Sequence, residues 1–203
     1  MCLAKVRPWM TGVVVARGRV IGTVSPGLHL VLPRRRLLKV DMRPHVLDVV
    51  SQALPTSDGG LVDYRYMVRY RVVDAELAAM PKVRLHDDLE RYMTDDPGAN
   101  IRDLPTVIGY SCHYALRGIT GSRPRAECLK REPTATLLLE GMRGIFEGTG
   151  VSVEEVTMTD AYPTNKGVRE GVAAITFRVV LDDGRTAILP IGMVDVHPAG
   201  LRR

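Results

Sequence analysis

One strand-length segment constrains the fold more than any other part of this sequence. In "GLVDYRYMVRYRVVD", residues 60–74, apolar or aromatic side chains occupy every second position, and charged side chains fill most positions between them. The first set is Val62, Tyr64, Tyr66, Val68, Tyr70 and Val72; the second is Asp63, Arg65, Arg69 and Arg71, with Met67 as the exception. Because successive side chains of a strand point to opposite faces, this alternation predicts a half-buried strand of an antiparallel sheet.

Strands also dominate the residues before this segment. The run "GVVVARGRVIGTV" is rich in β-branched residues on both sides of an Arg-Gly turn, and "HLVLP", "LLKVDMR" and "VLDVVSQAL" follow it. The connection "PTSDGG" supplies Asp58, Gly59 and Gly60, which are typical turn residues. We therefore predict an antiparallel sheet over residues 11–73.

Helices are predicted in the second half of the chain. Apolar residues recur at helical spacing from Leu104 to Arg117 and from Arg123 to Phe146, before Gly148 and Gly150. A strand "VSVEEVTMTDA" follows, and "AAITFRVVLDDGRTAILPIGMVDV" predicts a final hairpin. The predicted class is α+β, with a β-rich first half at 11–100, an α/β second half at 101–171 and a C-terminal hairpin and tail at 172–203.

Charge and cysteine content indicate which partners and which cellular compartment suit this chain. The net charge is +5, and only five of the 28 basic residues are lysine. This arginine preference fits phosphate recognition, but genomic base composition alone also produces it. The three cysteines, Cys2, Cys112 and Cys128, are odd in number at unrelated spacings and predict a reducing cytoplasm. No apolar run reaches the roughly 18 residues of a spanning helix, so we expect any membrane contact to be peripheral.

No group of residues predicts catalysis, a cofactor or a metal. The acidic pairs Asp87–Asp88 and Asp95–Asp96 lie in a polar segment, where solvated carboxylates or helix caps are the common case. Adjacent helical residues point about 100° apart, so Cys112 and His113 do not form a nucleophile–base pair. The histidines lack zinc-site spacing; they are His29, His45, His86, His113 and His197.

The segment "PRRRLLKVDMR" is the candidate contact with anions. Arg34, Arg35 and Arg36 are consecutive, and Trp9 is a candidate aromatic anchor beside them. Such a cluster suits anionic lipid headgroups or phosphate, with about 1 kcal/mol per basic residue near a charged surface. A solvated turn that ends the preceding strand fits the same residues. Nucleic acid is a weaker alternative, because neither stacking aromatics nor a groove-reading module lies nearby.

Five segments in a fixed order carry a resemblance to a known family. They are "GRVIGTVSPGLHLVLP", "VDMR", "TSDGGLVDYRYMVRYRVVD", "LRGITGSRPRAECLKRE" and "GVSVEEVTMTDAYP". Together they resemble the SPFH family of stomatins, prohibitins, flotillins and slipins over roughly Thr11 to Ala173. The resemblance implies an α+β domain with a curved antiparallel sheet, and proteins that form rings on membranes and hold or regulate partner proteins.

Two departures from the family pattern shape the functional expectation. Most members carry an N-terminal hydrophobic hairpin or helix and a C-terminal coiled coil, whereas this chain has "MCLAKVRPWM" and a β-hairpin at those places. We expect a non-catalytic, cytoplasmic scaffold or interaction module, peripheral to a membrane. The alternative is a soluble ligand-binding or nucleic-acid-binding domain on the same fold. We also expect self-association through sheet edges, with Ile175, Phe177 and Val179 on the donor strand.

Overall fold

The structure is a computed structural model, and it describes residues 2–80 and 96–164 together with the backbone of two C-terminal strands. The strands are β1 (Cys2–Val6), β2 (Met10–Ala16), β3 (Arg19–Val24), β4 (Gly27–Val31), β5 (Arg35–Asp41), β6 (His45–Pro55), β7 (Leu61–Val72), β8 (Val151–Pro163), β9 (Val172–Val180) and β10 (Thr186–Asp195). The helices are α1 (Ala75–Ala79), α2 (Pro97–Gly121), α3 (Arg125–Cys128) and α4 (Arg131–Phe146).

The described strands form antiparallel sheets, which confirms the α+β prediction. A two-stranded sheet pairs β1 with β4, and a three-stranded sheet has the order β3-β2-β5. A five-stranded sheet has the order β10-β9-β6-β7-β8. The three-stranded sheet and β4 fall in the predicted β-rich half, apart from Met10 at the start of β2, whereas β1 precedes that half. The five-stranded sheet combines β6 and β7 with the strands that follow the helices.

The alternation that predicts β7 is confirmed in its burial pattern. Val62, Tyr64, Tyr66 and Val68 are fully buried, whereas the intervening arginines are exposed. The buried hydroxyl groups have partners: the Tyr64 hydroxyl donates to the Cys128 carbonyl at 2.9 Å, and that of Tyr66 lies 3.0 Å from the Ser51 hydroxyl. Buried polar groups need such partners, so each tyrosine position also fixes what packs over it.

The "PTSDGG" connection forms the predicted turn and also starts a helix. The Asp58 carboxylate accepts from the Thr56 hydroxyl at 2.5 Å and from the Arg125 backbone N–H at 3.0 Å, at the first residue of α3. The Ser57 N–H donates to the Arg123 carbonyl at 2.9 Å. Because these hydrogen bonds favour the charged carboxylate, the pKa of Asp58 lies below its ordinary value despite an opposing desolvation contribution.

The helices differ from the sequence prediction in two places. The helix expected from Leu104 begins at Pro97, so it runs through Pro105. The helix expected from Arg123 to Phe146 is divided into α3 and α4. Pro133 explains the division: it lacks an N–H and its ring crowds the carbonyl four residues earlier, so it fits best in the first turn of a helix, where α4 places it.

The free edge of β8 is covered by two arginine side chains from α4. The Arg143 guanidinium donates to the carbonyls of Val153 and Glu154 at 3.4 and 3.3 Å, and that of Arg131 donates to the Thr159 carbonyl at 2.9 Å. Buried alternation along β8 shifts by one residue at Glu154, where the sequence predicts an uninterrupted pattern. These guanidinium groups therefore occupy three backbone acceptors of the edge strand β8.

The C-terminal hairpin extends the chain's own sheet. β9 pairs antiparallel with β6, with Asp48 opposite Arg178 and Ser51 opposite Ile175, and it pairs with β10 on its other side. The sequence predicts that the strand Ile175–Leu181 pairs with a neighbouring chain. In the structure, both backbone edges of β9 are paired within this chain. The edge strand on this side of the sheet is β10, and self-association stays a prediction.

Residues distant in the sequence form two compact units. The first comprises Met1–Val46, Arg69–Ser111 and Gly141–Glu155, and its core includes Val6, Val13, Val15 and Val40. The second comprises Leu47–Val68, Cys112–Glu140 and Val156–Arg203, and its core includes Leu47, Leu54, Leu116 and Leu138.

Candidate functional site

Two turns of the first unit bring arginine residues to one end of the β3-β2-β5 sheet. The β2–β3 turn contains Arg17 and Gly18, both with positive φ (52° and 74°), as a tight hairpin of this hand requires. The turn before β5 contains Arg34, also with positive φ (67°). In the sheet register, Ala16 has Arg19 opposite it on one side and Arg35 on the other. The two turns therefore meet at the same sheet end.

The faces of this sheet separate the arginines into two groups. Residues directly opposite one another share a face, so Arg19 and Arg35 lie on the face of Ala16, about 10 Å apart across β2. Arg36 is opposite the buried Val15, on the other face, and pairs with Asp96 at 3.7 Å. We call Arg17, Arg19, Arg34 and Arg35 the open arginine cluster. Among the residues that the structure describes, none of the four has a carboxylate within ion-pairing distance.

An exposed row of leucines leads to this cluster. Leu3 of β1 is opposite Leu30 of β4, and Leu28 and Leu32 follow the same alternation as Leu30. The exposed fractions of Leu3, Leu28, Leu30 and Leu32 are 64%, 63%, 59% and 38%. Leu32 also accepts, through its carbonyl, the N–H of Arg35 at 3.1 Å in the turn before β5. This leucine face, defined by the four residues, therefore ends where the open arginine cluster begins.

Trp9 lies at the opposite end of the same sheet. The Met42 N–H donates to the Trp9 carbonyl at 3.0 Å, next to the Met10–Asp41 pair that begins β2. Six residue steps of about 3.3 Å separate this end of β2 from the arginine end, a distance of about 20 Å. The expectation that Trp9 lies beside Arg34 to Arg36 is therefore wrong.

Trp9 has its own cationic neighbours. The guanidinium carbons of Arg7 and Arg43 lie 5.7 and 5.1 Å from its ring centroid. Arg43 also donates to the Asp41 carboxylate. Desolvation is the largest single contribution to the pKa of Asp41 and raises it. The hydrogen bonds and positive charges together outweigh desolvation, so this pKa lies below its ordinary value. Arg7 and Arg43 are therefore engaged in cation–π contacts with the indole, and Arg43 also forms an ion pair with Asp41.

A second arginine row contrasts with the open cluster. On the exposed face of β7, Arg65 pairs with Asp48 at 2.8 Å, and Arg69 and Arg71 both reach Glu154, at 3.4 and 2.8 Å. We call Arg65, Arg69 and Arg71 the paired arginine row. Asp48 and Glu154 lie on the two strands next to β7. Pairing across the strands therefore neutralises much of the positive charge of the paired arginine row.

The buried groups of the second unit do not form a nucleophilic site. Burial raises the pKa of the Cys112 thiol well above its ordinary value, which keeps it protonated and unreactive. Burial and the Arg117 charge lower the pKa of His113 to about 4. The His113 Nδ1 atom is buried without a hydrogen-bond partner among the described residues. These are properties of core residues and do not provide a base at neutral pH.

The described ranges contain neither a group of metal ligands nor a membrane-spanning helix. Within residues 2–80 and 96–164, no three His, Cys, Asp or Glu side chains are grouped to hold a metal ion. The same part of the chain contains no helix long and apolar enough to cross a bilayer. His86, Asp87, Asp88, Asp95 and His197, and the side chains of Ile175, Phe177 and Val179, lie outside the described residues.

Sequence reasoning missed part of this surface. The sequence predicts an Arg-Gly turn at Arg17 and a strand over Leu30 to Leu32, but it does not predict that Arg17, Arg19 or the leucines form a binding surface. The signal for the leucine face was present in "LHLVL", but the exposed side of a strand depends on which other elements cover it. The contribution of Arg17 and Arg19 depends on strand order, which residues distant in sequence determine.

The antiparallel sheets and the helices together define an α+β fold. The leucine face and the open arginine cluster form its exposed apolar and basic surface. A model of the SPFH domain / Band 7 family matches residues 4–174. The chain belongs to the SPFH domain / Band 7 family, whose members are generally membrane-associated scaffold proteins.

Two relatives illustrate the breadth of this similarity. An uncharacterised protein of the archaeon Methanocaldococcus jannaschii is 30% identical over 154 residues, which cover 75% of this chain and 68% of the relative. Mouse stomatin is 26% identical over 164 residues, or 79% of this chain and 51% of stomatin. The chain thus corresponds to about half of stomatin.

Proposed function

We propose that this chain is a non-catalytic scaffold module that docks peripherally on an anionic membrane surface and organises or regulates partner proteins there. The single observation that carries the proposal is the leucine face, which runs directly into the open arginine cluster. Exposed leucines in such a row leave apolar surface in water, and the neighbouring charge is complementary to anionic headgroups.

Both parts of this surface are needed for useful attachment. Burial of a leucine side chain contributes on the order of 1.5–3 kcal/mol when complete, and only part of each leucine enters a headgroup region. Each basic residue near an anionic leaflet adds about 1 kcal/mol, and that contribution decreases with salt. A membrane contact that combines one apolar and one basic signal is stable where either alone is marginal.

The chemistry of the buried groups supports a role without catalysis. Cys112 is a buried thiol with a raised pKa, and His113 is neutral at physiological pH. Cys112 and Cys128 are free and buried, and Cys2 is free and exposed. Free thiols support a reducing compartment, so the docking surface would face a cytoplasmic leaflet.

Self-association is the second part of the proposed role. Arg131 and Arg143 occupy backbone acceptors along the β8 edge, whereas β10 forms the other edge of the sheet. We assign contacts between copies to β10, within the hairpin that contains Ile175, Phe177 and Val179. Pro190 removes one donor from that edge, which restricts the register of an added strand.

Sedimentation with vesicles tests the docking proposal. The full chain is incubated at low salt with vesicles of phosphatidylcholine alone or with added phosphatidylserine, and the bound fraction is measured. We expect binding only with phosphatidylserine, and loss of binding in Leu28→Ser/Leu30→Ser and in Arg34→Gln/Arg35→Gln. The matched control is Met67→Ser, because Met67 is an exposed apolar residue of the β7 face.

Three outcomes oppose the proposal. Wild-type protein that stays in the supernatant with phosphatidylserine vesicles would overturn it. Equal loss of binding in Met67→Ser would assign the contact to β7 instead. Binding to DNA or RNA at moderate salt without vesicle binding would favour the alternative, a nucleic-acid-binding domain on this fold.

A further inference from the structure

We infer that the open arginine cluster is a binding site for a headgroup that carries several phosphate groups, and not only a diffuse positive surface. The inference rests on the proposed function for its membrane source. The shared chemistry is a compact anion with more than one phosphate, which belongs either to a lipid headgroup or to a free polyphosphate.

The first argument is the placement of four arginine residues from two separate connections at one end of the β3-β2-β5 sheet. Arg17 and Arg19 flank the β2–β3 turn, and Arg34 and Arg35 end the β4–β5 connection. Arg19 and Arg35 share one face about 10 Å apart, a separation that two long side chains can close from both sides. A ligand between them would meet forked donors from two directions, as bidentate phosphate recognition requires.

The second argument is the backbone conformation of both turns. Within the described ranges, the non-glycine residues with positive φ are Arg17, Arg34 and Ala53. Glycine or asparagine adopts this conformation more easily than arginine: glycine has no Cβ to approach the following carbonyl oxygen, and the short polar side chain of asparagine can hydrogen-bond locally. Two of the three strained positions are therefore arginines of the open arginine cluster.

The third argument is charge balance. Like charges placed near one another across strands destabilise a sheet, and no carboxylate of the described residues offsets these four. The paired arginine row shows that this chain does place acidic partners opposite arginines on β7. A ligand with clustered negative charge would supply the missing partners and contact several guanidinium groups in one binding event.

Arg36 provides an internal control for the assignment. It follows Arg35 directly but lies on the other face and pairs with Asp96 at 3.7 Å. A diffuse electrostatic attraction would respond almost equally to Arg35→Gln and Arg36→Gln, since each substitution removes one positive charge from the same end of β5. A defined site on the face of Ala16 would depend on Arg35 far more strongly.

Calorimetric titration with inositol hexakisphosphate, without membranes, tests the site itself. We expect one ligand per chain in the wild type, and an affinity about thirtyfold weaker in Arg19→Gln/Arg35→Gln, from two lost contacts of the size that basic residues contribute at anionic surfaces. We expect Arg36→Gln to lower the affinity by less than about threefold, because Asp96 already engages that side chain. Thermal unfolding of each variant checks that the fold is retained.

Vesicle binding distinguishes the lipid source from a free ligand. Phosphatidylcholine vesicles containing phosphatidylinositol 4,5-bisphosphate are compared with phosphatidylserine vesicles of the same total negative charge. We expect tighter binding to the bisphosphate lipid, with the preference lost in Arg19→Gln/Arg35→Gln. Binding of inositol hexakisphosphate with no vesicle binding would support the site as one for free polyphosphate and would contradict the membrane role alone.

Other outcomes would overturn the inference while leaving the membrane proposal intact. Equal binding to the two charge-matched vesicles, or equal losses in Arg35→Gln and Arg36→Gln, would indicate diffuse attraction. Displacement of the inositol probe by a short single-stranded oligonucleotide at lower concentration than by inositol trisphosphate would identify a nucleic-acid surface instead.

Discussion

The open arginine cluster and the paired arginine row use the same side chain in opposite ways. On β7, Arg65, Arg69 and Arg71 each have a carboxylate partner on a neighbouring strand. At the end of the β3-β2-β5 sheet, the four arginines have no carboxylate among the described residues within ion-pairing distance, and the leucine face adjoins them.

This difference shows why the number of arginines does not identify a binding surface. Both groups add to the same net charge, but neighbouring carboxylates cancel the field of the paired row within a few ångströms. No carboxylate of the described residues cancels the charge of the open cluster, which is thus available to another molecule. Cross-strand pairing, which depends on strand order, decides between the two uses.

The largest expected effect follows from removing the charge of the open cluster. Replacing Arg17, Arg19, Arg34 and Arg35 together by glutamine should weaken binding to phosphatidylserine vesicles by up to about a thousandfold, from about 1 kcal/mol for each residue. Vesicle sedimentation at low salt measures this change. Arg69→Gln/Arg71→Gln is the matched control, and we expect it to bind vesicles within about threefold of wild type because Glu154 already neutralises those side chains. Equal losses of vesicle binding in both variants would show that the open arginine cluster and the paired arginine row do not differ in function.

The two arginine groups differ in function only in folded protein, and protonation of His113 destabilises the fold at acid pH. Its pKa is about 4 in the folded chain, against about 6.5 in an unfolded one. The unfolded chain therefore binds the proton more readily below pH 6.5, so stability is complete above that pH and decreases as pH approaches 4.

Denaturant unfolding at several pH values measures this limit. The free energy of unfolding should fall by about 3 kcal/mol between pH 7 and pH 4 through this group. His113→Gln should remove most of this dependence, whatever its effect on stability at neutral pH. An unchanged pH dependence in that variant would assign acid sensitivity to the carboxylates instead.

A smaller effect is expected from unpairing the arginine row. Glu154→Gln leaves Arg69 and Arg71 without their carboxylate partner, and it should lower the free energy of unfolding by at most about 1 kcal/mol because these ion pairs are half-exposed. It should also create a modest new affinity for phosphatidylserine vesicles. If vesicle binding does not increase, charge pairing is not what keeps the β7 face inactive.

The smallest effect concerns backbone strain at the cluster. Asparagine adopts positive φ more easily than arginine, so Arg34→Asn should raise the free energy of unfolding by about 0.5–1 kcal/mol while weakening anion binding. Arg35→Asn, at a regular strand position, should weaken binding without stabilising the fold. A destabilised Arg34→Asn protein would show that the arginine side chain contributes contacts that outweigh the strain.

Local pattern was sufficient for much of the fold. The two-residue period of β7 predicts its buried and exposed faces, because that period is a property of any strand with one covered face. Pro133 indicates the break between α3 and α4, whereas the apolar spacing around it predicts one continuous helix. The family resemblance was also visible in the order of short segments, which the family match confirms.

Strand order was not predictable from local pattern. The separation of Trp9 from Arg34, and the approach of Arg19 to Arg35, both depend on β2 lying between β3 and β5. The exposure of Leu28 and Leu30 depends on what covers the β1–β4 sheet. Such features arise from pairings between residues distant in sequence, and hydrophobic periodicity alone does not encode them.

An environment-sensitive fluorophore placed in each of the two regions gives the most direct test. The thiol-reactive dye is attached in a Cys2→Ser background, because Cys112 and Cys128 are buried, to either Leu30→Cys or Met67→Cys. With phosphatidylserine vesicles at low salt, we expect a blue shift and increased emission at position 30, reversed by high salt, and no change at position 67. An unchanged spectrum at position 30 in protein that sediments with the vesicles, or a larger shift at position 67, would contradict docking through the leucine face.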